Sequence, residues 1–147
     1  MKIAMAVGLK IPDSTCATAL RTIRKMGYSL DRLKRYDYFA FTASGDAAAF
    51  KRQISSTDVL VNVNKNSVRM LDEQPVVQEG EIGIIVQDID GDSHLLHVLR
   101  ERLGLTMITG MEKGVLWVMK GDRGLAEEIA AKLLYNPHYQ RARFLAP

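Results

Sequence analysis

The stretch Met1–Ala43, MKIAMAVGLKIPDSTCATALRTIRKMGYSLDRLKRYDYFAFTA, decides the fold, because a segment built on the same plan returns between Glu81 and Lys120. In both places an alternating apolar run (Lys2–Leu9; Glu81–Asp88) precedes a helix-like segment, a glycine and two short extended runs. Lys2 aligns with Glu81 and Gly27 with Gly104, so the two registers differ only by a small change in loop length. Self-similarity of this kind takes precedence over local signals, and two units mean a duplicated domain, not a solenoid.

Within the first copy, KIAMAVG puts Ile3, Met5 and Val7 on one side and Ala4, Ala6 and Gly8 on the other, the period of a strand with a flat second face. Pro12 is followed by Asp13, Ser14 and Thr15, any of which can accept a hydrogen bond from the free amides of a first helical turn. Cys16, Ala19 or Leu20, Ile23 and Met26 then recur at helical spacing with the arginines outward, and Gly27 supplies a left-handed end. SLDRLKRYDYFAFTA predicts two strands joined by a tight turn near Lys34–Asp37. Asp46 opens a second helix through about Ile54, and TDVLVNVN predicts a strand with Val59, Val61 and Val63 on one side, completing βαββαβ.

The second copy repeats the order. EIGIIVQ leads to Asp92 or Ser93 as a cap, to Leu95, Leu96, Leu99 and Leu103 on one helical face, and to Gly104. Thr106–Met111 and Val115–Lys120 predict a hairpin around GMEKG. Leu125, Ile129 and Leu133 mark a last helix that Asn136-Pro137 stops. Val115, Trp117 and Met119 on one face and Leu116 and Val118 on the other predict a sheet buried on both sides, with helices covering one and the other repeat or another chain covering the second. The expected fold is α+β: two tandem ferredoxin-like βαββα(β) units, residues 1–72 and 81–147 around a linker at 73–80, with antiparallel sheets, helices on one face, and pseudo-dimer packing.

At 147 residues, 47% hydrophobic and 25% charged, the chain reads as globular, and units of this size are too small to hold separate cores, so the halves should pack together. No run approaches a membrane span and the chain opens on a strand pattern without an apolar leader, so a cytoplasmic location is expected. A single cysteine, Cys16, leaves no disulfide framework. Residues 1–75 carry 12 Lys+Arg against 7 Asp+Glu, and residues 76–147 carry 8 against 10. The basic excess on Arg21, Arg24, Lys25, Arg32, Lys34 and Arg35 reads as a solvated face or as a surface for an anion or acidic partner.

Reactive constellations are not apparent. His94 and His97 stand one turn apart without a third metal ligand, DIDGD (Asp88–Asp92) lacks the glycine placement and closing Glu of a calcium loop, and Cys16 falls on an apolar stripe. Neither GMEKG nor GDRG is a phosphate loop, and Tyr36, Tyr38, Phe39 and Phe41 lack an RNA-binding signature. The expectation is no catalytic residue, metal or cofactor.

The stretch GLKIPDSTCATALRTIRKMGYSLDRLKRYDYFAF resembles the small PurS subunit of formylglycinamidine ribonucleotide synthase in its order of strand, Lys-x-Pro-Asp type loop, helix ending in Gly-Tyr, and hairpin. Leu134, Asn136 and Pro137 match that family's closing Leu-x-Asn-Pro, and Leu60, Asn62 and Val63 form a weaker version in the first copy. The glycine expected after Asp13 and the Gly-Lys turn of the hairpin are missing, and family members are usually single units of half this length. The resemblance implies a non-catalytic accessory subunit that bridges the large synthetase and glutaminase subunits of a purine-biosynthetic amidoligase, acting through shape and charge, and a capacity to form homo-oligomers. Lys10, Arg21, Arg24, Arg35, Asn62 and Asn136 are the candidate contact residues. The alternative is a regulatory module of the ACT type that binds a small metabolite between its halves, with Gly91 in the binding loop. Nucleic-acid binding through the basic first copy is a third reading.

Overall fold

A computed structural model describes residues 1–89 and 94–147; the expected caps Asp92 and Ser93, the expected loop residue Gly91 and most of DIDGD lie outside them. Among the described residues, six strands form one antiparallel sheet: β1 (Lys2–Leu9), β2 (Leu33–Ala43), β3 (Asn66–Met70), β4 (Glu81–Asp88), β5 (Ile108–Lys120) and β6 (Gln140–Leu145). Their order is β3-β1-β2-β5-β4-β6. The order reads the same from either edge once each strand of the first half is matched with its counterpart in the second. Among the described residues four helices complete the α+β fold: α1 (Ser14–Lys25), α2 (Ala47–Ile54), α3 (His94–His97) and α4 (Arg123–Ile129). The last two run on into π-helical turns, Val98–Arg102 and Ala130–Leu134. No described helix is long and apolar enough to cross a membrane.

Neither expected hairpin forms. Leu33–Ala43 and Ile108–Lys120 are single long strands paired along their lengths, from Leu33 opposite Met119 to Phe41 opposite Met111, with an irregularity at Thr42 and Ala43. A tight two-residue hairpin turn needs positive φ at its centre. Among the described residues every positive-φ residue is a glycine, and none lies within Lys34–Asp37 or GMEKG. Each half is therefore βαβαβ. The strand expected over Thr57–Asn64 is also displaced: consecutive Leu60 and Val61 are both buried while Val59 and Val63 are exposed, and their amides both donate to the Thr57 carbonyl in a turn. The strand begins at Asn66.

Helices start where a carboxylate is available. Asp13, Asp46 and Asp122 accept from the amides of Cys16 (3.1 Å), Ala49 (3.0 Å) and Leu125 (2.8 Å), each satisfying a donor that the first helical turn leaves free. All four helices pack on one sheet face, but not each on its own half. Ile23 and Cys16 of α1 join Ala126 and Ile129 of α4 over Ile84, Trp117 and Met119. Phe50 and Ile54 of α2 join Leu99 over Ile3, Met5 and Phe41. Each helix pair thus draws one member from each half, and neither half owns a complete core.

The opposite face is covered in part from within the chain. Val76 and Val77, from the segment between β3 and β4, are buried on Ile85, Leu116 and Val118, so the two-sided apolar pattern of β5 needs no second chain at that point. Gly83 leaves room for this segment, since a Cβ there would lie 2.7 Å from a Val77 methyl.

Gly114 and Gly110, both in β5, differ sharply in surroundings. A Cβ at Gly114 would sit 2.5 Å from the backbone oxygen of Val86, whereas one at Gly110 would meet only Thr42 side-chain atoms at 3.6 and 3.7 Å. Gly114→Ala should cost about 1–3 kcal/mol by forcing β4 and β5 apart, and Gly110→Ala should stay within about 0.5 kcal/mol of the parent. Urea unfolding of the two variants checks this, and equal midpoints would contradict the close β4–β5 approach.

Candidate functional site

The candidate contact residues do not form one cluster, although Lys10 reaches the turn at Asn62. Arg21 is on the exposed side of α1. Arg24 donates from Nε to the Leu30 carbonyl and from Nη2 to that of Asp31, both at 2.9 Å, and so ties down the loop between α1 and β2. Lys10 donates from Nζ to the Val63 carbonyl at 2.8 Å.

Asn62 and Asn136 are turn residues at opposite edges of the sheet. The Asn62 side-chain oxygen accepts from the Asn64 amide at 3.0 Å, its backbone oxygen accepts from the amides of Lys65 and Asn66, and the Asn66 side chain accepts from its amide at 2.8 Å. In the second half, Asn136 makes the same four bonds with His138, Tyr139 and Gln140. Each asparagine folds the chain back on itself two residues on and delivers it to an edge strand. Lys10 to Lys65 and Ile89 to Tyr139 are likewise matched backbone bonds, as are Ala43 to Met1 and Gly121 to Gly80.

Arg35 alone of the six faces a cleft. The cleft, about 650 Å³, lies on the helical side of the sheet, over the seam where β2 meets β5. Arg35, Asp37 and Phe39 of β2 form the floor beside Lys113, Val115 and Trp117 of β5, and Leu60 and Leu134 close its two ends. The register places Phe39 opposite Lys113, Asp37 opposite Val115 and Arg35 opposite Trp117. Matched positions are thus similar at the periphery, Arg35 with Lys113 and Phe39 with Trp117, and dissimilar at the centre, Asp37 with Val115. A cleft of this size with a few polar groups among apolar ones has the dimensions and composition of a small-molecule site.

Two of its four lining Asp, Lys and Arg side chains are occupied. Arg35 meets Asp13 at 3.6 Å and stacks 5.7 Å from the Trp117 ring centre, and Asp88 accepts from Gln140 at 3.1 Å. No ion pair or hydrogen bond engages the side chains of Asp37 or Lys113 among the described residues, and both are exposed to the cleft. His94 lies on the wall. Among the described residues no group of His, Cys, Asp and Glu could hold a metal. Asp37 and Lys113 escaped the sequence reading because their polarity in mid-strand looked like turn chemistry. The available signal was parity: Arg35, Asp37, Phe39 and Phe41 alternate without interruption, as do Lys113, Val115, Trp117 and Met119.

Beside the cleft, Cys16 is buried on the apolar side of α1, as its spacing predicts, and its Sγ donates to the Leu33 carbonyl at 2.9 Å. Burial raises its pKa, the Asp13 carboxylate raises it further, and Arg35 opposes both. The unfolded thiol, near pKa 8.5, therefore ionises before the folded one. In that window the unfolded state holds fewer protons, so stability falls as pH rises through it. Unfolding midpoints measured from pH 7 to 10 should decline more steeply for the parent than for Cys16→Ala, and parallel curves would rule out a shifted thiol.

No protein-family model matches the chain, and no curated protein matches it, so the reading of the cleft stands on its geometry.

Proposed function

We propose that the chain is a non-catalytic accessory protein related to PurS, in which two ferredoxin-like units have been fused in tandem and pack as a pseudo-dimer around the β2–β5 seam. The observation that carries the reading is the paired asparagine turn. Leu134, Asn136 and Pro137 carry the closing motif of the resemblance and Leu60, Asn62 and Val63 its first-copy version, and the turns at Asn62 and Asn136 share the same four hydrogen bonds before an edge strand. The weaker first-copy version of the motif is thereby supported by geometry where its residues alone are unconvincing. On this reading the protein is cytoplasmic and docks on the large synthetase and glutaminase subunits of formylglycinamidine ribonucleotide synthase or of a related complex. Arg21, exposed on α1, is the foremost contact residue, while Arg24, Asn62 and Asn136 act by shaping the loops.

A second reading is favoured by the seam cleft: a module that binds a small metabolite between its halves. The two readings are compatible, since an accessory subunit can carry a regulatory ligand.

Reconstitution separates the first reading from a bare fold relationship. Glutamine-dependent formylglycinamidine ribonucleotide synthesis by cognate large and glutaminase subunits should require this protein, and Arg21→Glu should weaken the assembly while leaving the fold intact. Full activity with an ordinary single-unit small subunit, combined with no binding by this chain, would eliminate the accessory role.

A further inference from the structure

Asp37 and Lys113 are the two charged side chains of the cleft floor left without a partner among the described residues, one anion and one cation. They project from the same face of adjacent antiparallel strands, because Asp37 is opposite Val115 and Lys113 is opposite Phe39. That diagonal placement separates their backbones by about 7–8 Å. Around them the cleft offers apolar contact through Phe39, Trp117, Leu60 and Leu134. Its polarity is directional, since Val115 and not a second acid stands across from Asp37.

We infer that the seam cleft binds a small zwitterion, a molecule carrying a carboxylate and a protonated amine on neighbouring carbons together with an apolar side chain. The carboxylate accepts from the Lys113 ammonium, the amine donates to the Asp37 carboxylate, and the side chain lies against Phe39 or Trp117. A plain anion would leave Asp37 facing it at close range, and a plain cation would face Lys113. The zwitterion satisfies both, and charge-assisted hydrogen bonds of this kind are stronger than neutral ones. The inference rests on the second reading above and narrows it to a ligand class.

The test uses the full chain and thermal shift with the proteinogenic L-amino acids, followed by calorimetry on those that raise the melting temperature. For L-phenylalanine as the worked probe, 3-phenylpropionate lacks the amine and phenethylamine lacks the carboxylate. At least one amino acid should stabilise the protein in a concentration-dependent way, and removing either charged group from it should weaken binding about tenfold or more. Asp37→Asn should abolish the preference for the amino acid over its des-amino analogue. Lys113→Gln should abolish the preference over the decarboxylated one. Loss of a preference at unchanged apo stability cannot come from misfolding, and Lys120→Ala, exposed and outside the cleft, should alter neither. Binding of inorganic phosphate or adenosine monophosphate that is indifferent to Asp37→Asn, with no amino acid bound, would overturn the zwitterion while preserving a small-molecule site. A flat response to every probe would overturn both.

Discussion

The antiparallel pairing of β2 with β5 is the constraint on which the rest of the molecule depends. It runs from Leu33 opposite Met119 to Ala43 opposite Ile108 and joins what would otherwise be two three-stranded sheets, each with an open edge. Three strands with two short helices are marginal alone, and an unpaired central edge would invite association with other chains. Pairing the two long strands buries that edge and leaves only the short strands β3 and β6 at the margins.

The helical layer reinforces the seam. Because α1 packs with α4 and α2 with α3, separating the halves would strip both clusters and expose Ile23, Phe41, Ile84, Leu99 and Ile129 together. Fully burying an aliphatic or aromatic side chain is worth roughly 1.5–3 kcal/mol, so this exchange couples the halves far more tightly than the strand hydrogen bonds alone. Tyr28 adds a polar clasp at the rim, donating to Glu128 at 2.8 Å and accepting from Lys132 at 2.6 Å. Those groups are exposed, and the clasp locates α1 against α4 more than it stabilises the fold.

The cleft follows from the same geometry. Two helix pairs set on either side of a seam leave a gap above it, and beneath that gap Asp37 and Lys113 stay exposed while Phe39 and Trp117 beside them belong to the core. There the halves have different residues, Asp37 against Val115 and Thr15 against His94, while the turns at Asn62 and Asn136 are bonded alike. Similar turns keep the architecture regular. A dissimilar floor makes the opening chemically one-sided.

The residues by themselves determined the α+β class, the helix start at Asp46 and the burial of Cys16, and they narrowed the first cap to Asp13, Ser14 or Thr15, because these depend on local periodicity and on side chains that bond within a few residues of themselves. Tertiary structure decided what the polar residues in mid-strand mean. Arg35, Asp37 and Lys113 carry the marks of turn residues when read locally, and they remain in strands because a partner strand pairs their backbones and a gap between helix pairs leaves their side chains room. It also decided that Val76 and Val77 cover part of the second sheet face and that helices exchange across the seam, since both depend on contacts between residues far apart in the chain, which no local pattern encodes.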